Sequence, residues 1–392
     1  MRIGAALSTL PDAPEAAREA LGRALEALEG EQPDLVVAFH SIHHLARIAE
    51  VAGMLATGAK PAAVIGCTAQ AVVGDGREVE AGPAFSVWAA RLDGARVEPF
   101  VLGEAQTDDG PTILGIPPVA DDTRAIILLG EPYTFPTDAL EQLNALRAGD
   151  APIPVIGGMA SGGRGRGHHA LVYNGDVRTA GAVGVTLSGD IRIETLVSQG
   201  CKPIGATSVV TAADGNVIQG LAGSLPMEKL GDLFRSLAPD DQERARHGLH
   251  VGVVIDEYAS EFGPGDFLIR NVIGADQRSG WIAIGEPVSV GQTVQFHIRD
   301  ASAADEDLNG SLGVLELSRV GDPSTIAGAL LFTCNGRGMN LFGAPDHDVA
   351  AVRSHLGPLP VAGMFCAGEI GPVGGKNFLH GFTASVALFV NE

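Results

Sequence analysis

Positive charge is scarce in this chain: 26 lysines and arginines stand against 47 aspartates and glutamates, a formal net charge of -21. A repulsive field of that sign argues against nucleic-acid backbones and anionic membrane surfaces as partners. Cysteine is sparse as well. Cys67, Cys201, Cys334 and Cys366 show no C-x-x-C spacing, so neither a disulfide framework nor a zinc ribbon is indicated. Reduced thiols in a cytoplasmic protein are the reading that fits. No stretch approaches the ~20 apolar residues of a spanning helix, and Pro11 and Asp12 interrupt the start too early for a secretory h-region. The glycines at 157–158 and 162–163 come without a P-loop lysine or a dinucleotide fingerprint, which sets a nucleotide site aside. Arg164 and Arg166, alone among glycines, read as a solvated loop. His40, His347 and the pairs at 43–44 and 168–169 lack partners at metal-ligand spacing.

Apolar residues are plentiful at 45%, aromatics few at 5%, and glycines number 53, the profile of a compact, turn-rich globular protein. At 392 residues it has length for two or more domains. Asp12 and Glu15 form a capping pattern ahead of Leu21, Leu25 and Leu28, and Gly30 closes that helix. Leu35 to Phe39 reads as a buried strand. Ser41 opens a second helix with Leu45, Ile48 and Leu55, ending at Gly58. Ala63 to Gly66 is the next strand, followed by a Gly74-Asp75-Gly76 turn and a hairpin of Phe85–Ala90 with Arg96–Val101.

The order then returns. A shift of 91 lays Val36 on Ile127, Ile65 on Ile156 and Gly66 on Gly157, with Thr137 capping the second copy's helix. A shift of 299 puts Cys366 on Cys67, Gly381 on Gly82 and Ser385 on Ser86, with Asp346 capping the third. Cys201 to Gly205 closes the first half. Between it and the third copy lie a helical pattern over 226–247, strand-like segments at 251–255, 267–273, 281–284 and 293–298, and a helix over 303–317. The fold class is therefore mixed α/β: repeated strand–helix–strand–hairpin units forming mixed sheets flanked by helices, in two domains. Ligands bind beyond the carboxyl ends of the parallel strands in such sheets. Cys67-Thr68, Met159-Ala160-Ser161, Cys334-Asn335-Gly336-Arg337 and Cys366 to Glu369 should gather there, with the run continuing through Lys376-Asn377 to His380.

These pieces resemble the FIST family: Val64 to Ala69, Gly157 to Ser161, Ser198 to Gly205, Phe332 to Gly338 and Phe365 to His380, in the order of a FIST N-terminal and then a FIST C-terminal domain. The resemblance covers nearly the whole chain and divides it at 1–222 and 223–392. It implies a sensory module for small ligands such as amino acids. It also implies a signalling partner, since no kinase, cyclase or F-box segment is in view, and haem in some bacterial members.

On this reading Asn335 and Arg337 hold a ligand carboxylate, and Glu369 faces an amine or pairs with a protein base. Cys67, Thr68, Ser161, Cys334, Cys366, Asn377 and His380 complete the candidate ligand-binding set. No cofactor or metal is required. The alternatives are a haem-bound nitric-oxide sensor with His380 as axial ligand, and an enzyme using Cys366 as nucleophile with His380 as base. The second lacks a recognisable triad, so an enzyme is the lesser expectation.

Overall fold

The computed structural model describes every residue except 109, 137, 264, 321, 323 and 392. It divides into two compact units. One comprises residues 1–197, 309–379 and 383–392; the other comprises 198–308 and 380–382.

The larger unit is built from the repeat that the sequence displays. Each copy pairs two parallel strands: Leu35–Ser41 with Ala63–Ala69, Thr123–Gly130 with Val155–Met159, and Thr325–Cys334 with Val361–Cys366. A helix joins each pair, Ile48–Ala59, Ala139–Ala145 and His347–Leu356 in turn. The strands are nearly continuous apolar runs because both faces are covered. Their inner faces, with Phe39, Ile65, Ile127, Leu129, Phe332 and Met364, share one central core. On the outer face of the first sheet, Val36, Val64 and Val87 pack under Ala16, Ala20, Val51 and Leu55 of the helices.

Each copy also gives away a hairpin. The hairpin of Val72–Gly74 and Arg77–Val79 joins the third copy's sheet, that of Leu171–Tyr173 and Asp176–Arg178 joins the first, and that of Glu369–Val373 and Lys376–His380 joins the second. Long strands travel likewise. Ala95–Thr107 leaves the first copy for the second sheet, and Arg192–Gln199 leaves the second for the third. The expected hairpin of Phe85–Ala90 with Arg96–Val101 is therefore corrected. Phe85–Arg91 pairs with Arg2–Ser8 and Leu35–Ser41, and Ala95–Thr107 pairs with Ala182–Gly189. The true hairpin is the one turned by Asp75 and Gly76, both at positive φ. The amino group of Met1 donates to Asn391 Oδ1 at 2.8 Å, so the chain ends meet.

Asp12 caps the helix Ala13–Glu26, accepting from the Glu15 amide at 3.1 Å, as its spacing predicts. The second helix differs: a 3-10 turn, Ile42–Arg47, precedes Ile48–Ala59, and the left-handed residue that ends it is Lys60, not Gly58. The cap expected at Thr137 lies outside the described residues. Asp346 sits at the start of its helix with φ 63 but makes no side-chain cap; its carboxylate accepts from the Glu78 amide at 2.6 Å instead.

The smaller unit is a closed barrel of Cys201–Asp214, Val217–Leu221, Ile282–Ile284, Phe267–Ala275, Leu249–Val254 and Thr293–Arg299. Ile204, Val210, Ile218, Val253, Ile282 and Ile298 fill it. The helical pattern over 226–247 is two helices, Pro226–Ser236 and Pro239–His247, because Pro239 starts a new one. Cys201 opens the barrel's longest strand instead of closing a half-chain, so the compact units do not divide at 222/223. Donated hairpins tie residues from both sides of that point into one unit.

Candidate functional site

The carboxyl ends of the inner strands meet around Ser161. Its Oγ accepts from the Gln70 amide of the first copy at 2.8 Å and donates to the Phe365 carbonyl of the third at 2.5 Å. The Ser161 amide donates to the Thr68 carbonyl, and the Met159 amide to the Gly368 carbonyl. Thr68 Oγ1 accepts from the Ala170 amide at 2.9 Å. Ser161 and Thr68 thus hold the strand ends together.

Beside this knot lies a buried polar cluster. Arg337 is 1% exposed, and its Nε and Nη2 grip Asp348 at 2.7 and 2.8 Å. Asp348 also accepts from Thr333 Oγ1 at 2.5 Å and lies 2.9 Å from His347 Nδ1. Burial works against its charge, but Arg337 and these hydrogen bonds hold the carboxyl well below the usual carboxylate range. The guanidinium stands 5.2 Å from the Phe342 ring centre, and His347 stacks on the same ring. The expectation that Arg337 offers its fork to a ligand carboxylate is therefore corrected: Asp348 occupies two of its three nitrogens. Asp348, two residues after the expected cap Asp346, is the partner that the sequence does not single out.

Glu369 is fully buried, and its Oε2 accepts from the Thr383 amide at 3.1 Å and hydroxyl at 2.8 Å. Burial outweighs those bonds and the nearby Arg337, pushing the carboxyl up to about 8. Three buried atoms here have no hydrogen-bond partner among the described residues: Arg337 Nη1, Glu369 Oε1 and Asn335 Oδ1. Cys334, Asn335 and Gly336 are half-buried, so solvent reaches the strand end from that side.

Cys67 and Cys366 belong to the central core, with Cys67 Sγ 3.1 Å from Met364 Sδ. Burial raises both thiols, and Glu369 raises Cys366 further, the opposite of nucleophile activation. His380 counts with the barrel unit. Asn377 spends its side chain on Asn144 Oδ1, the Ile153 carbonyl and the Val155 amide, and binds the second copy.

An axial haem ligand needs an imidazole nitrogen free of protein bonds. His169 has one nitrogen on Glu131 and the other on the Gly163 amide, and His40 lies against the Ser41 carbonyl and Thr68. His44 is buried against Phe85, and neither of its nitrogens has a hydrogen-bond partner among the described residues. Among the described residues no group of three or more metal-ligating side chains comes together, and no helix is long and apolar enough to cross a membrane.

Fold and site together define a mixed α/β protein of hairpin-exchanging repeats with a polar cluster enclosed at its strand ends. The chain belongs to the FIST family: residues 34–224 match the FIST N domain and residues 228–372 the FIST C domain. FIST domains are associated with sensing in signal transduction. The chain is 45% identical over 393 residues to an uncharacterized protein of Mycobacterium bovis (strain ATCC BAA-935 / AF2122/97), with all of both chains covered. It is 46% identical over 394 residues to one of Mycobacterium tuberculosis (strain ATCC 25618 / H37Rv), again with full coverage of both.

Proposed function

We propose that this chain is a cytoplasmic sensory protein that binds a small, polar, amino-acid-like metabolite at Asn335, Arg337 and Glu369 and passes the signal to a partner protein. One observation supports the reading above others: three buried polar atoms, on Asn335, Arg337 and Glu369, have no hydrogen-bond partner among the described residues. Leaving such a group unsatisfied costs about 1–3 kcal/mol, and a ligand supplying the missing bonds would recover it. Cys334 and the neutral thiol of Cys366 would form the wall beside it. The reading needs neither cofactor nor metal, and no nucleic acid or membrane.

A thermal-shift screen of amino acids and their derivatives tests it. A ligand that binds only the folded chain stabilises it by about 2.7 kcal/mol at a hundred times its dissociation constant. The expected result is a saturable rise that Asn335→Ala and Glu369→Ala diminish. No rise with any compound would sink the reading. Haem addition gives a second check: the proposal expects no Soret band, and a band lost in His44→Ala would replace it with a haem sensor.

A further inference from the structure

We infer that the group entering this cluster is a neutral carboxamide, a carbonyl beside an N–H, and not a free carboxylate. The inference rests on the sensory reading above and narrows it to a ligand chemistry. Arg337 carries the cluster's one buried cation, and the two-point contact with Asp348 cancels its charge. An entering carboxylate would be a second anion beside one cation, stripped of water with no countercharge left to receive it.

The unused valences have a different pattern. Arg337 Nη1 presents N–H donors, and Asn335 Oδ1 presents an acceptor. Glu369 Oε1 is the third open position; Oε2 accepts both Thr383 bonds, so the proton that burial keeps on this carboxyl at pH 7 lies on Oε1, which presents a donor. The backbone amides nearby are committed, Asn335 N–H to the Cys366 carbonyl and Arg337 N–H to the Cys334 carbonyl. Two donors and one acceptor, without net charge beyond the Arg337–Asp348 pair, are what a C(=O)–NH group pairs with. Its oxygen takes the hydrogens of the guanidinium and of the neutral Glu369 carboxyl, and its nitrogen donates to Asn335. The Cys366 thiol carries no charge, because burial holds it protonated.

The test is calorimetric titration of the full chain at pH 7 with matched pairs: nicotinamide and nicotinate, propionamide and propionate, L-glutamine and L-glutamate. The expected result is that the amide of at least one pair binds about tenfold or more tighter than its acid. Asn335→Ala and Glu369→Ala should then each weaken that amide several-fold. Asn335→Ala removes an atom with no protein partner, so its melting temperature should match the parent. Acids binding as well as amides would overturn the inference and leave the sensory reading standing. An amide that binds both variants unchanged sits elsewhere and overturns it too. No binding by either member of any pair would remove the sensory reading and the inference together.

Discussion

At Arg337 one side chain serves the fold and, on the proposal, the ligand. Its contact with Asp348 is buried on both sides, so removing one partner strands a charge, which costs about 3–5 kcal/mol. Arg337→Ala and Asp348→Asn are both expected to lose stability on that scale in urea titrations. Asn335→Ala should stay within about 0.5 kcal/mol of the parent. Wild-type stability in Arg337→Ala would show that the pair is dispensable. Loss of binding in an Arg337 variant therefore says nothing about recognition unless folding is measured beside it. That this arginine needs a carboxylate was legible in the sequence, through its place at a buried strand end. Which carboxylate was not. Glu369 was equally available by spacing, and the choice depends on how the helix His347–Leu356 docks.

The elements show where sequence pattern stops. Parallel strand pairs, their helices and most barrel strands could be read from apolar runs and capping residues. The destination of the hairpins could not, because a repeat has the same period whether its hairpin folds back or crosses to a neighbour. The crossing has local consequences. Asn377 fastens the third copy's hairpin to the second copy through three side-chain hydrogen bonds at 2.8 to 2.9 Å. Asn377→Ala is expected to cost about 2–4 kcal/mol, from several buried groups left unpaired, and to speed hydrogen exchange in Glu369–Val373. Unchanged exchange there would argue that the side chain holds nothing in place. Gly158 pairs with Glu369 across the same joint. A methyl group on it would lie 2.4 Å from Cys366 Sγ and 3.1 Å from the Gly368 carbonyl oxygen. Gly158→Ala should therefore destabilise the joint, and Cys366→Ala in the same chain should recover part of the loss.

For the whole molecule, acid and base act on different groups. In the larger unit, burial pushes Glu78 and Glu369 from 4.5 to about 8, with Asp348 adding to the effect on Glu78. The native state then holds protons that the unfolded chain releases, so stability falls as pH rises through that window. In the barrel, burial lowers His250 and His297 from 6.5 to about 4. There the unfolded chain takes up protons first, and stability falls as pH drops through that range. Between pH 4.5 and 6.5 the two effects oppose each other, so the expected melting profile is nearly level there and falls as pH rises from about 6.5 to 8. Glu78→Gln with Glu369→Gln should flatten its alkaline side, and a profile level from pH 6 to 9 would contradict the assignment. The meeting of Met1 with Asn391 reaches further. A ring of three modules, each completed by its neighbour, does not depend on which module comes first along the chain. Joining the termini with a short linker and opening the chain between 116 and 122 should give a permuted protein that still folds, whereas a lone module, deprived of its borrowed hairpin, should not.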